Sequence, residues 1–313
     1  MVVNLRTYLR ATTHKDVIMD VFKIPTLSAK PIPITTKEAF ESFTKKQKPW
    51  IQLISDAMSF SWRYYAQCPH CDNAIIIIGF NPTHTQTPHG KHYMVRSVNG
   101  VGFLDRSAYE ACPYRNQANK KLSKEDKYST EHHLPSKALN ILIEHFDRAI
   151  YLLEKELQIK FSTSCLKRML EDFRASQGWL YKGVSEQNIP WIFAYFTLSK
   201  SLYKQRILNK TLKSNLLALE PKLQFDKHET LLVTDGLFFK TSFSFFDHQR
   251  SVNDHHLIES ITFKVSDKNN RDLYIKKIEF DPLHFANLIN MDEEKAKEFR
   301  NMKLVEMARA VFR

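Results

Sequence analysis

Glycine is scarce in this chain, with seven among 313 residues, so few positions can adopt positive φ cheaply or let a phosphate lie against bare backbone. That disfavours the glycine-cradled nucleotide folds. The two nearest matches fail residue by residue. Gly178 and Gly183 have P-loop spacing, but Val184 and Ser185 stand where Lys and Ser/Thr belong, and Gly100-Val101-Gly102 is followed by Asp105 where a dinucleotide fingerprint needs glycine. Cysteine is sparse too: four in a chain this long do not make a disulfide framework, so a reducing, cytoplasmic setting is expected. The first residues lack the apolar core of a secretory signal. The longest apolar stretches, Ala74 to Ile78 and Ile189 to Phe196, are too short to span a bilayer, so no membrane partner is expected. The motifs Gly-x-Ser-x-Gly and His-Glu-x-x-His and a calcium-binding loop are all missing, which leaves esterase, zincin and EF-hand chemistry without support.

What is present is a basic, aromatic chain. Lys and Arg outnumber Asp and Glu by 46 to 34, a formal charge of +12, and Phe and Tyr contribute 22 and 12 residues. Such an excess attracts polyanions and releases their counterions on contact, so nucleic acid, DNA or RNA, is the first partner expected.

Four segments are expected. Residues 1–60 mix short β-prone runs with a helix from Thr36 to about Thr44, capped by Thr35. Residues 61–120 alternate β-rich pieces, Ala74 to Ile78 and His92 to Val95, with Pro, Asn and Gly turns, as a small metal-stapled module requires. In residues 121–222 Leu139, Leu142, Ile143, Phe146, Ile150 and Leu153 fall on one face of a single helix running to about Leu157. A second helix covers Ser164 to Ala175, and a third runs from Pro190 to roughly Leu208. In residues 223–313 four runs, Thr230 to Val233, Leu237 to Phe246, Leu257 to Val265 and Leu273 to Phe280, predict an antiparallel meander with a turn at Asp235-Gly236, followed by a last helix from Asp292 to Val311. The fold class expected is therefore α+β: a zinc-stapled N-terminal module, a helical middle layer and a C-terminal four-stranded antiparallel sheet with a terminal helix.

The sharpest signal is Cys68-Pro69-His70-Cys71. A Cys-x2-Cys turn aims two thiolates at one tetrahedral ion, and His92 and Cys112 arrive at near-equal intervals downstream to close the set. Four filled positions leave none for substrate, so a structural Zn2+ is expected. His89 is the chief rival to His92, with His70 and His84 behind it. The competing readings are free thiols in a turn and a redox pair, the latter lacking the βαβ surroundings it needs. Cys165, on an expected helix, reads as a buried core thiol.

Around this module aromatic and basic residues recur. Arg63, Tyr64, Arg106, Arg115, Lys120 and Lys121 are candidate nucleic-acid contacts, because planar rings stack on bases while cations neutralise phosphates. Trp62 and Tyr109 are instead expected to build the miniature core of the zinc unit. Lys200, Lys204, Arg206 and Lys210 are expected to form a cationic strip on the third helix. Trp179 and Trp191 read as packing between helices. The polar triplets Asp254-His255-His256 and Glu131-His132-His133 read as a hairpin turn and a connector.

These features favour a non-enzymatic, zinc-containing nucleic-acid-binding protein acting with other protein subunits in a nucleoprotein complex of replication, transfer or RNA-guided defence. One alternative is a metal-dependent nuclease or phosphoesterase that assembles Asp235, Asp247, Glu259 and Lys264 around Mg2+. Another is an interaction adaptor with a structural zinc.

Overall fold

A computed structural model describes residues 19–25, 30–56, 59–80, 87–115, 121–232, 240–253, 256–297 and 300–313. The expected turn at Asp235-Gly236, the ligand rival His84, the cation Lys120, and Asp254 and His255 of the polar triplet lie outside the described residues.

The N-terminal half begins with β1 (Val21–Phe22) paired to β2 (Ile32–Pro33), followed by α1 (Lys37–Thr44). The hydroxyl of Thr36, not Thr35, caps this helix by accepting from the Ala39 N–H at 3.2 Å. An antiparallel sheet follows, made of β3 (Ile51–Asp56), β4 (Ser59–Gln67), β5 (Ala74–Ile78) and β6 (His89–His92), hydrogen-bonded in that order. The β-branched run Ala74 to Ile78 suits a strand whose Ile75 and Ile77 are buried while Ile76 and Ile78 are less so. A short helix, α2 (Arg106–Ala111), closes this half. Its core centres on Phe22, Phe40, Tyr64 and Phe80, whose ring centroids lie 5.1 to 6.0 Å apart.

The second half opens with α3 (His133–Glu144) and α4 (Phe146–Leu157), two helices where the apolar spacing predicts one. The break falls at His145, held out of helical geometry (φ −127°, ψ 28°) with guanidinium nitrogens of Arg148 and Arg300 each 3.4 Å from its Nδ1. Periodicity runs through the break because both helices turn their apolar stripe to the same core. Then come β7 (Ile159–Lys160), α5 (Thr163–Ala175) capped by Ser162, a single 3-10 turn at Gly178–Leu180, and α6 (Ile189–Tyr195). The expected helix to Leu208 stops at Tyr195, because Asp172 competes for the chain beyond it: its carboxylate accepts from the Leu198 N–H at 2.9 Å and pairs with Lys200. The next residues form β8 (Lys200–Ser201), β9 (Arg206–Ile207) and α7 (Lys210–Leu219).

The C-terminal sheet consists of β10 (Thr241–Asn253), β11 (His256–Asp267) and β12 (Asp272–Glu279), with the strand order β12-β11-β10-β8. It is four-stranded and antiparallel. Its fourth member is β8, not the expected run from Thr230, where Thr230 and Leu231 make only isolated bridges to Arg206 and Phe225. Three helices finish the described chain: α8 (Pro282–Ile289), α9 (Glu293–Ala296) and α10 (Met302–Phe312). The first of these, started by Asp281 and Pro282, is not in the sequence expectation, and the last two replace the single helix expected from Asp292. The large core here includes Phe146, Phe173, Phe193, Phe243, Phe263 and Phe285, all fully buried. Burial of each such ring stabilises by about 1.5–3 kcal/mol. Cys165 lies in this core as expected, and Trp191 stacks on Phe280 at 5.4 Å. The chain is thus α+β, and among the described residues no helix is long and apolar enough to cross a membrane.

The turn between β4 and β5 joins the halves. His70 accepts from Arg250 of β10 at 3.1 Å, and Asp72 shares the fully buried Lys23 (2.5 Å) with Glu186 of the helical half (3.1 Å).

Candidate metal centre

Strand β4 delivers Cys68 at its end, and the chain turns tightly there, with the Asp72 N–H donating to the Cys68 carbonyl (3.1 Å) and the Cys68 N–H to that of Asn73 (2.9 Å). Asp72 takes the left-handed conformation (φ 55°) that lets Cys71 face Cys68. Strand β6 brings His92, and the C-terminus of α2 brings Cys112. One ligand atom from each of Cys68, Cys71, His92 and Cys112 lies within 4.8 Å of all the others, and the three thiols are buried. The four residues are able to hold a metal ion. Cys68 Sγ and Cys112 Sγ are 3.7 Å apart, and Cys71 Sγ is 3.3 Å from His92 Nε2. Sulfurs about 2.3 Å from a tetrahedral ion stand roughly 3.7–3.8 Å apart, so the thiol spacing fits without rearrangement. His89, the rival, bonds the Thr87 carbonyl and is not in the cluster.

Burial pushes both the Cys68 and the Cys112 thiol up. At Cys68 hydrogen bonds from Cys112 and Cys71 and from the backbone N–H groups of His70 and Cys71 outweigh burial and hold the thiol well below its usual range, whereas at Cys112 the neighbouring sulfurs add to burial. The thiolate is favoured at Cys68, and at Cys112 it needs a cation beside it.

A supporting shell surrounds these four side chains. The Asn73 amide stands 3.4 Å from Cys71 Sγ and donates to the Asp105 carbonyl (2.9 Å), and the His92 ring meets Tyr109 edge-on at 5.1 Å. The loop bridged by Val98 and Gly102 presses bare backbone onto the turn: a Cβ on Gly102 would stand 2.7 Å from the Asp72 carbonyl oxygen.

The expected nucleic-acid contacts disperse. Tyr64 is buried opposite Ile51 and belongs to the first core, so it cannot stack on a base. Trp62, expected in the zinc unit's core, is instead exposed, because the β3–β4 register carries it past the core toward the hairpin tip, opposite Leu53. Arg106 is exposed, Arg63 and Arg115 are half-buried, and the Arg115 guanidinium lies over the Tyr109 ring at 5.6 Å. Lys121 pairs with Asp247 (3.4 Å). The cationic strip does not exist as one helix face: Lys200 sits on β8 and pairs with Asp172, Lys204 occupies a left-handed turn, Arg206 lies on β9 and Lys210 starts α7. Of the acids expected in the nuclease reading, Asp235 lies outside the described residues. Asp247 sits at the irregularity of β10, Lys264 pairs with Asp272 (3.0 Å), and Glu259 is buried.

Two groupings were not foreseen. Asp105, His132 and His133 bring ligand atoms within 4.8 Å of one another. In addition Tyr181, His248, Arg250 and Asn188 gather near Glu259: Tyr181 Oη is 3.0 Å from His248 Nδ1, Asn188 donates to Glu259 at 3.2 Å, and burial pushes His70 down to about 4, leaving it the neutral acceptor of Arg250. Glu259 and His70 line a mostly apolar cavity of 420 Å³ walled by Pro31, Pro33, Pro69 and Leu257.

The chain matches no protein-family model, no curated protein and no solved structure.

Proposed function

We propose that the chain is a zinc-stapled nucleic-acid-binding protein whose metal unit is structural and holds an aromatic hairpin out to unpaired bases. Three thiolates and an imidazole are the donor set that Zn2+ takes in closed tetrahedral sites, and such a set leaves no position for substrate. The observation that carries the reading is the exposure of Phe60 (74%) and Trp62 (59%), which stand on one face of β3–β4 opposite Ser55 and Leu53. Large rings left in water on a chain of charge +12 suit a strand of stacked bases whose phosphates meet cations. Lys45, Lys48, Lys91 and Arg96, all exposed in the same half, supply such cations.

The test is a salt titration of binding to labelled single-stranded and duplex oligonucleotides, with metal content measured on the same sample. Affinity should fall log-linearly with salt, favour the single strand, and drop roughly tenfold in Trp62→Ala. Salt-independent binding, or a Trp62→Ala chain that binds like the parent, would reject the reading in favour of protein docking. Strand cleavage with Mg2+ or Mn2+ that is lost in Glu259→Ala would favour the nuclease.

A further inference from the structure

We propose that Asp105, His132 and His133 form a second cation site, open to solvent and separate from the thiolate centre. Each residue stands at a helix start: Asp105 caps α2, and His132 and His133 begin α3. Asp105 Oδ1 is committed to the Ala108 N–H at 2.9 Å, which leaves Oδ2 facing His132 Nε2 at 2.8 Å. That contact has the length of a hydrogen bond but is poorly aligned for one, and Nε2 is buried. Two ligand atoms held this close can both reach one cation. Ligands about 2.0–2.2 Å from one cation stand roughly 2.8–3.1 Å apart in octahedral and roughly 3.3–3.6 Å apart in tetrahedral coordination, so the pair fits the first as it stands and needs to open by about 0.5–0.8 Å for the second.

The third ligand, His133, brings a ring nitrogen within 4.8 Å of the other two ligand atoms. Its ring is nearly parallel to that of His132 (14°) with the centroids 5.0 Å apart, and Tyr128 packs on His132 at 4.2 Å. Asp72 Oδ2 stands 3.9 Å from His133 Nε2, close enough to favour positive charge there but too far for a hydrogen bond. His132 Nδ1 receives the Leu134 N–H at a long 3.3 Å, and a cation on Nε2 moves the ring proton to Nδ1. The Leu134 N–H, a first-turn helix donor, then turns to water, which lowers affinity without breaking the fold.

Two imidazoles and one carboxylate, with no sulfur, suit a first-row divalent ion such as Zn2+, Mn2+, Fe2+ or Co2+. Only three protein ligands hold it, and the His133 side chain is 56% exposed, so the remaining positions belong to water. Where the thiolate centre is closed, this one can polarise an oxygen ligand. The site stands whether or not the chain binds nucleic acid.

The experiment counts metal in the full chain, saturated with Zn2+ and separated from free ion, and repeats the load with Co2+. The expected result is two ions per chain, falling to one in Asp105→Asn and in His133→Ala. Asparagine caps a helix as well as aspartate does, and His133 is a surface residue, so both variants keep the fold. With Co2+ the retained ion shows sulfur-to-cobalt charge transfer, and the lost one shows only weak ligand-field bands. One ion in the parent, two in either variant, sulfur charge transfer from both ions, or loss of both ions in His133→Ala would each overturn the proposal.

Discussion

Asn73 and Asp105 hold each other as two strands would: the Asp105 N–H donates to Asn73 Oδ1 at 2.8 Å, and Asn73 Nδ2 donates to the Asp105 carbonyl at 2.9 Å. One side of this clasp carries Cys71, and the other starts the helix that ends in Cys112. Asn73→Ala strands a backbone donor and an acceptor, which should cost about 2–3 kcal/mol and weaken metal retention about 10–100-fold. Denaturant titration and competition with a graded chelator measure the two effects. A variant that loses stability but keeps its metal affinity would show that the clasp serves the fold alone.

Lys23 is buried between Asp72 and Glu186, and Lys137 reaches the same Glu186 oxygen at 2.6 Å. Burial alone would lower the Lys23 pKa, but the two carboxylates outweigh it, raise it above the ordinary value and keep the ammonium charged. Lys23→Met leaves Asp72 and Glu186 with only the half-exposed Lys137 between them and should cost roughly 2–4 kcal/mol. Adding Glu186→Gln should return part of that loss. Equal stability of the single and double variants would mean that the charges do not couple.

His145 predicts the response to acid. Burial, with the charges of Arg148 and Arg300, pushes its pKa down to about 4 from 6.5, so between those values the unfolded chain binds the extra proton and the folded chain does not. Its contribution is complete above pH 6.5 and is lost as pH falls toward 4. Urea midpoints at pH 7 and pH 5 should therefore diverge, and His145→Asn should narrow the gap. An unchanged gap in the variant would place the acid sensitivity elsewhere.

Gly102→Ala tests the seat of the loop. The added methyl group would meet two backbone atoms, the Asp72 carbonyl oxygen at 2.7 Å and the Ala74 N at 2.9 Å, neither of which can rotate aside. A loss of about 1–3 kcal/mol is expected, together with faster metal exchange, read by thermal unfolding with and without added Zn2+.

The grouping of Cys68, Cys71, His92 and Cys112 was legible in the sequence because thiols and imidazole at paired spacing have few other uses in a chain with so little cysteine. The C-terminal sheet was legible through alternation, as at Phe243 and Phe245, both buried. The fate of Trp62 was not, since the strand pattern places it on a face and only the register with Leu53 decides whether the core reaches that far. Nor was the third helix: nothing local distinguishes residues beyond Tyr195 from a helix, and the stop is made by Asp172, more than twenty residues earlier. The pairing of Asp105 with His132 arises in the same way, from two helix starts that meet only in the folded chain.

The turn that presents Cys68 and Cys71 also presents His70 and Asp72, of which the first reaches Arg250 directly and the second reaches Glu186 through the Lys23 ammonium, across the boundary between the halves. Chelation is therefore not a private event of the small sheet. Amide exchange should slow in β10 and at the start of α6 when Zn2+ is loaded onto the four ligands and quicken when a chelator removes it, since Cys68, His70, Cys71 and Asp72 belong to one turn.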